Sequence, residues 1–213
     1  MNLYIVRHGE STWNSQNKIQ GHSDPALSKL GIFQARLLAR RFRKLKIGRI
    51  YSSPLLRSLE TARIIAKTLK LKIVKKRQLR EVGLGDWEGK TPEEIDKLYN
   101  NSYRRWLRLG PTKVKIPNAE SISAFRKRAE KVFYDIVKEN KGKDVLVVTH
   151  GGIIAAFLAH LLGADFDRLI LNLHLPNTCV TVVSFCKNRC FLIHVADTLH
   201  LLLAEVKGQW PSK

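Results

Sequence analysis

The chain has 213 residues, 44% of them apolar, with 38 Lys and Arg against 18 Asp and Glu, a formal net charge of +20. That length buries a sizeable core as one domain, 1–213, with the apolar share of an ordinary globular protein. No run approaches the ~18 consecutive apolar residues of a membrane span, and the first apolar run starts too near Met1 for a signal peptide to precede it, so a cytoplasmic protein is expected.

Leu3 to Val6 is an apolar run that stops abruptly at Arg7-His8-Gly9-Glu10. It reads as a buried parallel strand delivering a cation and an imidazole to a tight turn. In open α/β sheets the ligand crevice lies beyond the carboxyl ends of the strands. Asn14 to Pro25 is polar and turn-rich and suits a loop at the mouth of that crevice, with His22 as an exposed loop residue. Ser28 suits the N-cap of a helix from about Lys29 to Leu45, with Ile32, Leu37, Leu38 and Phe42 at helical spacing. Arg49 to Tyr51 reads as a short second strand.

Ser52-Ser53-Pro54 opens another helix, with the proline early, where its missing N–H costs nothing. Arg57 falls in the first turn, near the positive end of the helix dipole, and Glu60 three residues on is the candidate to offset it. Leu71 to Val74 is a third short strand. The stretch Leu79 to Gly89 is glycine-rich but has Glu88 where a dinucleotide fingerprint needs its third glycine, and no phosphate-binding GxxxxGK[ST] loop exists. It reads as a loop carrying Glu81, Asp86 and Glu88 towards the crevice.

Thr91 to Leu109 is expected to be a helical excursion ended by Gly110-Pro111, part of a cap insertion at about 90–120. A long helix over about Ser121 to Glu139 precedes a second buried strand, Asp144 to Thr149, which runs into His150-Gly151-Gly152 and a helix to about Leu162. Val180 to Phe185 and Phe191 to Val195, joined by Lys187-Asn188-Arg189, close the fold as a hairpin, and Gly208 to Lys213 is expected to be mobile. The alternation predicts an α/β three-layer sandwich, a mostly parallel sheet with helices on both faces.

The three cysteines, odd in number and without a CxxC pair, are expected to be buried free thiols of the C-terminal strands. No HExxH or comparable ligand spacing points to a metal. Between positions 36 and 80, sixteen Lys and Arg face only Glu60. The expectation is a solvated basic face that steers anions, with no specific nucleic acid as partner.

The chemistry lies where Arg7, His8, Arg57 and His150 converge. Two guanidinium forks suit a tetrahedral dianion, and neutral imidazole is a good nucleophile near pH 7. A nearby carboxyl group can protonate a leaving alkoxide and then deprotonate water. Together they form a kit for phosphoryl transfer without a metal.

Arg7-His8-Gly9-Glu10-Ser11-Thr12 and His150-Gly151 resemble the two signatures of the histidine phosphatase superfamily, the phosphoglycerate mutase-like group. Further matching blocks follow in the family's order: Asp24-Pro25-Ala26-Leu27-Ser28, Ser52 to Ala62, Leu79-Arg80-Glu81 and Gly85 to Gly89. The resemblance spans Met1 to about Leu162. It implies that His8 becomes phosphorylated, that Arg7, Arg57 and His150 hold the transferring group, and that Glu81 is the acid and base, with Asp86 and Glu88 close enough in sequence to substitute.

Asn14 matches a phosphate-pocket contact, with Thr12 and Gly151 as further substrate-binding candidates beside it. No metal or other cofactor is implied. The branch it points to is a phosphomonoesterase acting on a small phosphorylated metabolite. The alternative is a cofactor-dependent phosphoglycerate mutase, for which Arg104 and Arg105 of the cap would grip a second anionic group. A non-catalytic polyanion-binding module is the reading from another class, and a homodimer is plausible from the family. The chain departs from the pattern at Gly83-Leu84, at Asn118-Ala119 and after Gly152, where Ile153-Ile154-Ala155 carries no arginine.

Overall fold

The structure is a computed structural model that describes residues 1–187 and 189–206. Asn188 of the expected turn and the tail expected to be mobile, 208–213, lie outside the described residues. In chain order the elements are β1 (Asn2–Arg7), α1 (Lys29–Phe42), β2 (Ile47–Ser52), α2 (Leu56–Leu69), β3 (Ile73–Lys75), α3 (Pro92–Leu98) and α4 (Ser102–Leu109). There follow α5 (Ile122–Glu139), β4 (Asp144–Thr149), α6 (Gly151–Leu162), α7 (Phe166–Asn172), β5 (Val180–Cys186), β6 (Arg189–Asp197) and α8 (Leu199–Val206).

The strands form one sheet in the order β3-β2-β4-β1-β5-β6. The β1–β4, β2–β4 and β2–β3 pairs are parallel, while β5 and β6 join antiparallel at one edge. Successive side chains of a strand point to opposite faces, and this decides the layers. Leu3, Ile5, Val145 and Val147 pack against Phe125, Phe133, Ile154 and Phe157 of α5 and α6. Val6, Leu146 and Val148 face the other way, onto Leu38, Phe42, Ala62 and Ile65 of α1 and α2. Strands covered on both faces must be apolar on both, which is why β1 and β4 read as continuous hydrophobic runs. The expected three-layer α/β sandwich is the observed fold.

The excursion after β3 is two helices rather than one. Thr91 and Glu94 form a reciprocal capping box with Pro92 in the first turn of α3. Asn100 and Asn101 then adopt positive φ of 49° and 55° and break the helix. Asparagine tolerates this left-handed region better than most residues. Asp96 stabilises the restart, its Oδ1 accepting from the N–H groups of Tyr103 and Arg104 at 2.8 and 3.1 Å. The segment has its own apolar cluster, in which Trp87, Ile95, Val114 and Ile116 meet Leu84, Tyr103 and Trp106. Asp167 of α7 latches its far end, accepting from the Thr112 N–H at 3.0 Å and from the Thr112 hydroxyl.

Other expectations need correction. Helix α1 ends at Phe42, and α7 and α8 carry too few periodic residues to be foreseen. Cys179 is a buried free thiol, but Cys186 and Cys190 are exposed. In the hairpin Cys186 lies opposite Arg189 and Cys190 opposite Phe185, so the two thiols face opposite sides. Among the described residues no helix is long and apolar enough to cross a membrane.

Candidate active site

The parallel register pairs Arg7 with Thr149, so the residues that follow, His8 and His150, leave neighbouring strands side by side. Their rings are edge-to-face at 5.1 Å between centroids. The N–H of His8 donates to the Thr149 carbonyl at 2.9 Å, and Asn177 donates to the His8 carbonyl at 3.0 Å, which fixes the backbone at the strand end. A cavity of about 300 Å³ opens here, lined by Arg7, His8, Asn14, Arg57, Glu81 and Gly152 among others.

His8 is buried, and its Nδ1 lies 2.7 Å from the Gly9 carbonyl. A carbonyl only accepts, so Nδ1 carries the proton and Nε2 keeps a lone pair. The Nε–H of Arg57 donates to that lone pair at 3.2 Å, which agrees with the assignment. Burial holds the imidazole well below its ordinary value of 6.5, and the Arg57 and Arg7 charges push it the same way.

Arg57 is fully buried, its two terminal nitrogens donating to the carbonyls of Ser23 and Gly21 at 2.8 and 2.9 Å. Burial lowers its pKa to about 10, opposed first by Glu81 and then by Asp24, so it stays charged near neutral pH. The expected partner Glu60 does not offset it: that carboxylate accepts from the N–H of Leu27. Asp24 instead sits at the start of α2, accepting from the N–H of Leu56. The guanidinium of Arg7 donates to the Leu175 carbonyl through one terminal nitrogen, and its Nε is buried with no partner among the described residues.

His150 is also fully buried, with Nε2 2.8 Å from the Ser53 hydroxyl and Nδ1 without a partner among the described residues. Burial, then Arg57, His8 and Arg7, hold its pKa well below 6.5. Both histidines are therefore neutral at pH 7.

Glu81 is the carboxylate that lines the cavity. Its two oxygens accept from the N–H groups of Val82 and Gly152, each at 2.9 Å. Gly152 leaves room for this carboxylate, because a Cβ there would overlap Glu81 Oε1 and displace it. The other two acids of this stretch are engaged elsewhere. Asp86 accepts from Asn118, and Glu88 collects the N–H groups of His22, Ser23 and Leu84 together with the Ser23 hydroxyl. Glu88 thereby holds the loop whose carbonyls grip Arg57.

Asn14 lines the cavity, its side-chain oxygen accepting from the N–H and hydroxyl of Ser11 at 3.1 Å. Gly151 packs beside Arg7, where an added Cβ would lie 3.7 Å from Nε. Thr12 is exposed, its N–H donating to the Ala26 carbonyl, and it does not line the cavity. Arg104 and Arg105 do not line it either. Both are exposed, and Arg104 pairs with Asp96 at 3.1 Å, because α4 turns Trp106 inward and its neighbours outward. His22 is half-buried rather than exposed, with Nε2 2.9 Å from the Glu81 carbonyl.

Sequence reasoning missed Asn177 and the lining residues Lys18, Trp106 and Ile170, which no contiguous pattern marks. Ser53 was visible only as a residue of the Ser-Ser-Pro turn. Among the described residues no group of three His, Cys, Asp or Glu could hold a metal ion.

The sequence profile of the histidine phosphatase superfamily, branch 1, matches residues 3–198. The chain belongs to this superfamily. It is 35% identical over 198 residues to putative phosphoserine phosphatase 2 of Hydrogenobacter thermophilus, an alignment covering 93% of this chain and 96% of that one. It is 41% identical over 155 residues to phosphoglycerate mutase-like protein 4 of Arabidopsis thaliana, covering 71% and 67%. Among solved structures, Bacillus stearothermophilus YhfR superposes with a TM-score of 0.87 at 30% identity, over 94% of this chain and 98% of that one. A mutant phosphoserine phosphatase from Entamoeba histolytica, in complex with phosphoserine, gives 0.83 at 31%, over the same shares. The enzyme is a phosphatase of the histidine phosphatase type.

Proposed function

We propose that the enzyme hydrolyses small phosphorylated metabolites without a metal, through a phosphohistidine on His8. The observation that carries this reading is the tautomer of His8: Nδ1 is committed to the Gly9 carbonyl, which leaves the Nε2 lone pair among Arg7, Arg57 and His150. A phosphoryl group entering the cavity takes over the N–H that Arg57 gives to Nε2. Nε2 attacks phosphorus, the ester P–O bond breaks, and Glu81 gives its proton to the departing alkoxide. Glu81 then takes a proton from water, the hydroxide attacks phosphorus, and the N–P bond breaks to release phosphate.

Arg7 Nε, His150 Nδ1 and the Asn14 amide supply donors to the phosphoryl oxygens. The Ser53 hydroxyl lies 2.8 Å from His150 Nε2, and donation from that hydroxyl puts the ring proton on Nδ1, as this role needs. Fixed cations and donors take the part that Mg²⁺ plays in other phosphoryl transfers. The segment 90–120 acts as a cap within a single domain. A homodimer is part of the same reading, supported by exposed Phe191, Ile193 and Val195 on the edge strand β6 and tested by sedimentation.

The test is phosphate release from a panel of phosphomonoesters in EDTA, phosphoserine among them because two of the four relatives named above carry that substrate in their names. Mass spectrometry follows the adduct. Turnover by wild type but not His8→Ala, with an acid-labile phosphoryl group on His8, is the expected result. An adduct that releases little phosphate to water and instead passes its phosphoryl group to added 3-phosphoglycerate, giving the bisphosphate and the 2-phospho isomer, would establish a mutase instead. Turnover that EDTA abolishes would overturn the metal-free chemistry.

A further inference from the structure

The cavity is charged where the phosphoryl group reacts and apolar over much of its remaining wall. Beyond Arg7, His8, Arg57 and Glu81, its lining includes Ile19, Val82, Leu84, Trp106 and Ile170, with Lys18 beside them. These come from separate elements: the loop after β1, the loop after β3, α4 and α7. The Trp106 ring is held in place, stacked on Tyr103 at 6.0 Å and 12°, and Tyr103 in turn lies 6.0 Å from Trp87. A preformed aromatic and aliphatic wall binds apolar groups without an ordering cost.

The charges on that wall have one sign. Glu81 is the only carboxylate among the described residues lining the cavity, and both of its oxygens already accept from backbone N–H groups. Lys18 makes no ion pair among the described residues. A substrate ammonium would meet Lys18, apolar surface and the neutral amides of Asn17 and Gln20 with no free counter-ion, which disfavours it.

We propose that the site selects phosphomonoesters whose leaving group is apolar or aromatic and carries no cationic group. This rests on the phosphomonoesterase reading above. It separates the chain by chemistry from relatives whose names specify an amino-acid phosphate.

The experiment compares kcat/KM for 2-phenylethyl phosphate, phosphoethanolamine and phosphoserine. All three are esters of primary alcohols, so the acidity of the leaving oxygen varies little. Wild type is expected to favour 2-phenylethyl phosphate by about tenfold or more, the scale on which apolar pockets discriminate. Trp106→Ala should shrink that ratio several-fold through a higher KM, and Lys18→Glu should shift it towards phosphoethanolamine. If Trp106→Ala does not fold, Ile170→Ala on a different helix makes the same measurement.

Equal or faster turnover of either amine-bearing ester, or a ratio that no wall substitution moves, would overturn the proposal while leaving the phosphatase reading intact. Failure to hydrolyse any of the three, with no phosphohistidine formed, would remove both.

Discussion

Two histidines stand at the ends of neighbouring strands, buried and surrounded by cationic groups. Burial and the Arg57 and Arg7 charges all disfavour the imidazolium, so His8 and His150 stay neutral well below pH 6.5. An NMR titration of the ring protons should show neither residue titrating between about pH 6 and 8, and a transition near 6.5 for His8 would contradict this account. Gly152 gives a second test at the same scale. A Cβ there overlaps Glu81 Oε1, so Gly152→Ala must move the carboxylate. The expected loss in kcat is about 10–100-fold, since a catalytic group misplaced by about 1 Å costs on that order. The loss should be smaller for p-nitrophenyl phosphate in the phosphorylation step, where the leaving group needs no proton, and pre-steady-state phosphate kinetics read that difference.

The elements matter through the loops they tie together. Glu88 follows the strand-poor stretch after β3, yet its carboxylate accepts four hydrogen bonds from His22, Ser23 and Leu84. The 20–24 loop so held presents the Gly21 and Ser23 carbonyls to Arg57. In Glu88→Gln an NH₂ group must face at least one of those donors, leaving a donor unpaired at about 2 kcal/mol. For a chain of this size that is a Tm drop of roughly 4–8 °C. KM should rise as well, because Arg57 loses its bracket. Calorimetry and steady-state kinetics on one variant read both, and an unchanged Tm with an unchanged KM would show that other contacts hold the loop.

For the whole molecule, buried neutral histidines make stability depend on acidity. His200 is buried against Thr178, and burial lowers its pKa to about 4. Together with His8 and His150, it binds a proton more readily in the unfolded chain than in the folded one. Stability is therefore complete above about pH 6.5 and falls as pH drops from there towards 4. Denaturant midpoints measured at pH 7.5, 6 and 5 should decline in that order, and a flat profile would mean that the three rings are not buried neutral in solution. The net charge of +20 adds self-repulsion but draws anionic substrates towards the cavity, an effect that rising salt should weaken as a fall in kcat/KM.

Much of this was legible in the chain itself. β1 and β4 are unbroken apolar runs because each is covered on both faces, and each ends in a His-Gly pair that a parallel register must bring together. Residue type and order along the chain also marked Arg57, and they named three carboxylates as candidates for one role. Tertiary structure puts only Glu81 of the three against the cavity, because their placement depends on hydrogen bonds between residues far apart in sequence. Gly152 claims Glu81, Asn118 claims Asp86, and the 20–24 loop claims Glu88. Packing between distant segments likewise removes Arg104 and Arg105 from the cavity and admits Lys18, Trp106 and Ile170. Which side of a short helix faces the crevice is set by the packing of Tyr103 and Trp106 against Trp87 and its neighbours, not by the local pattern of eight residues.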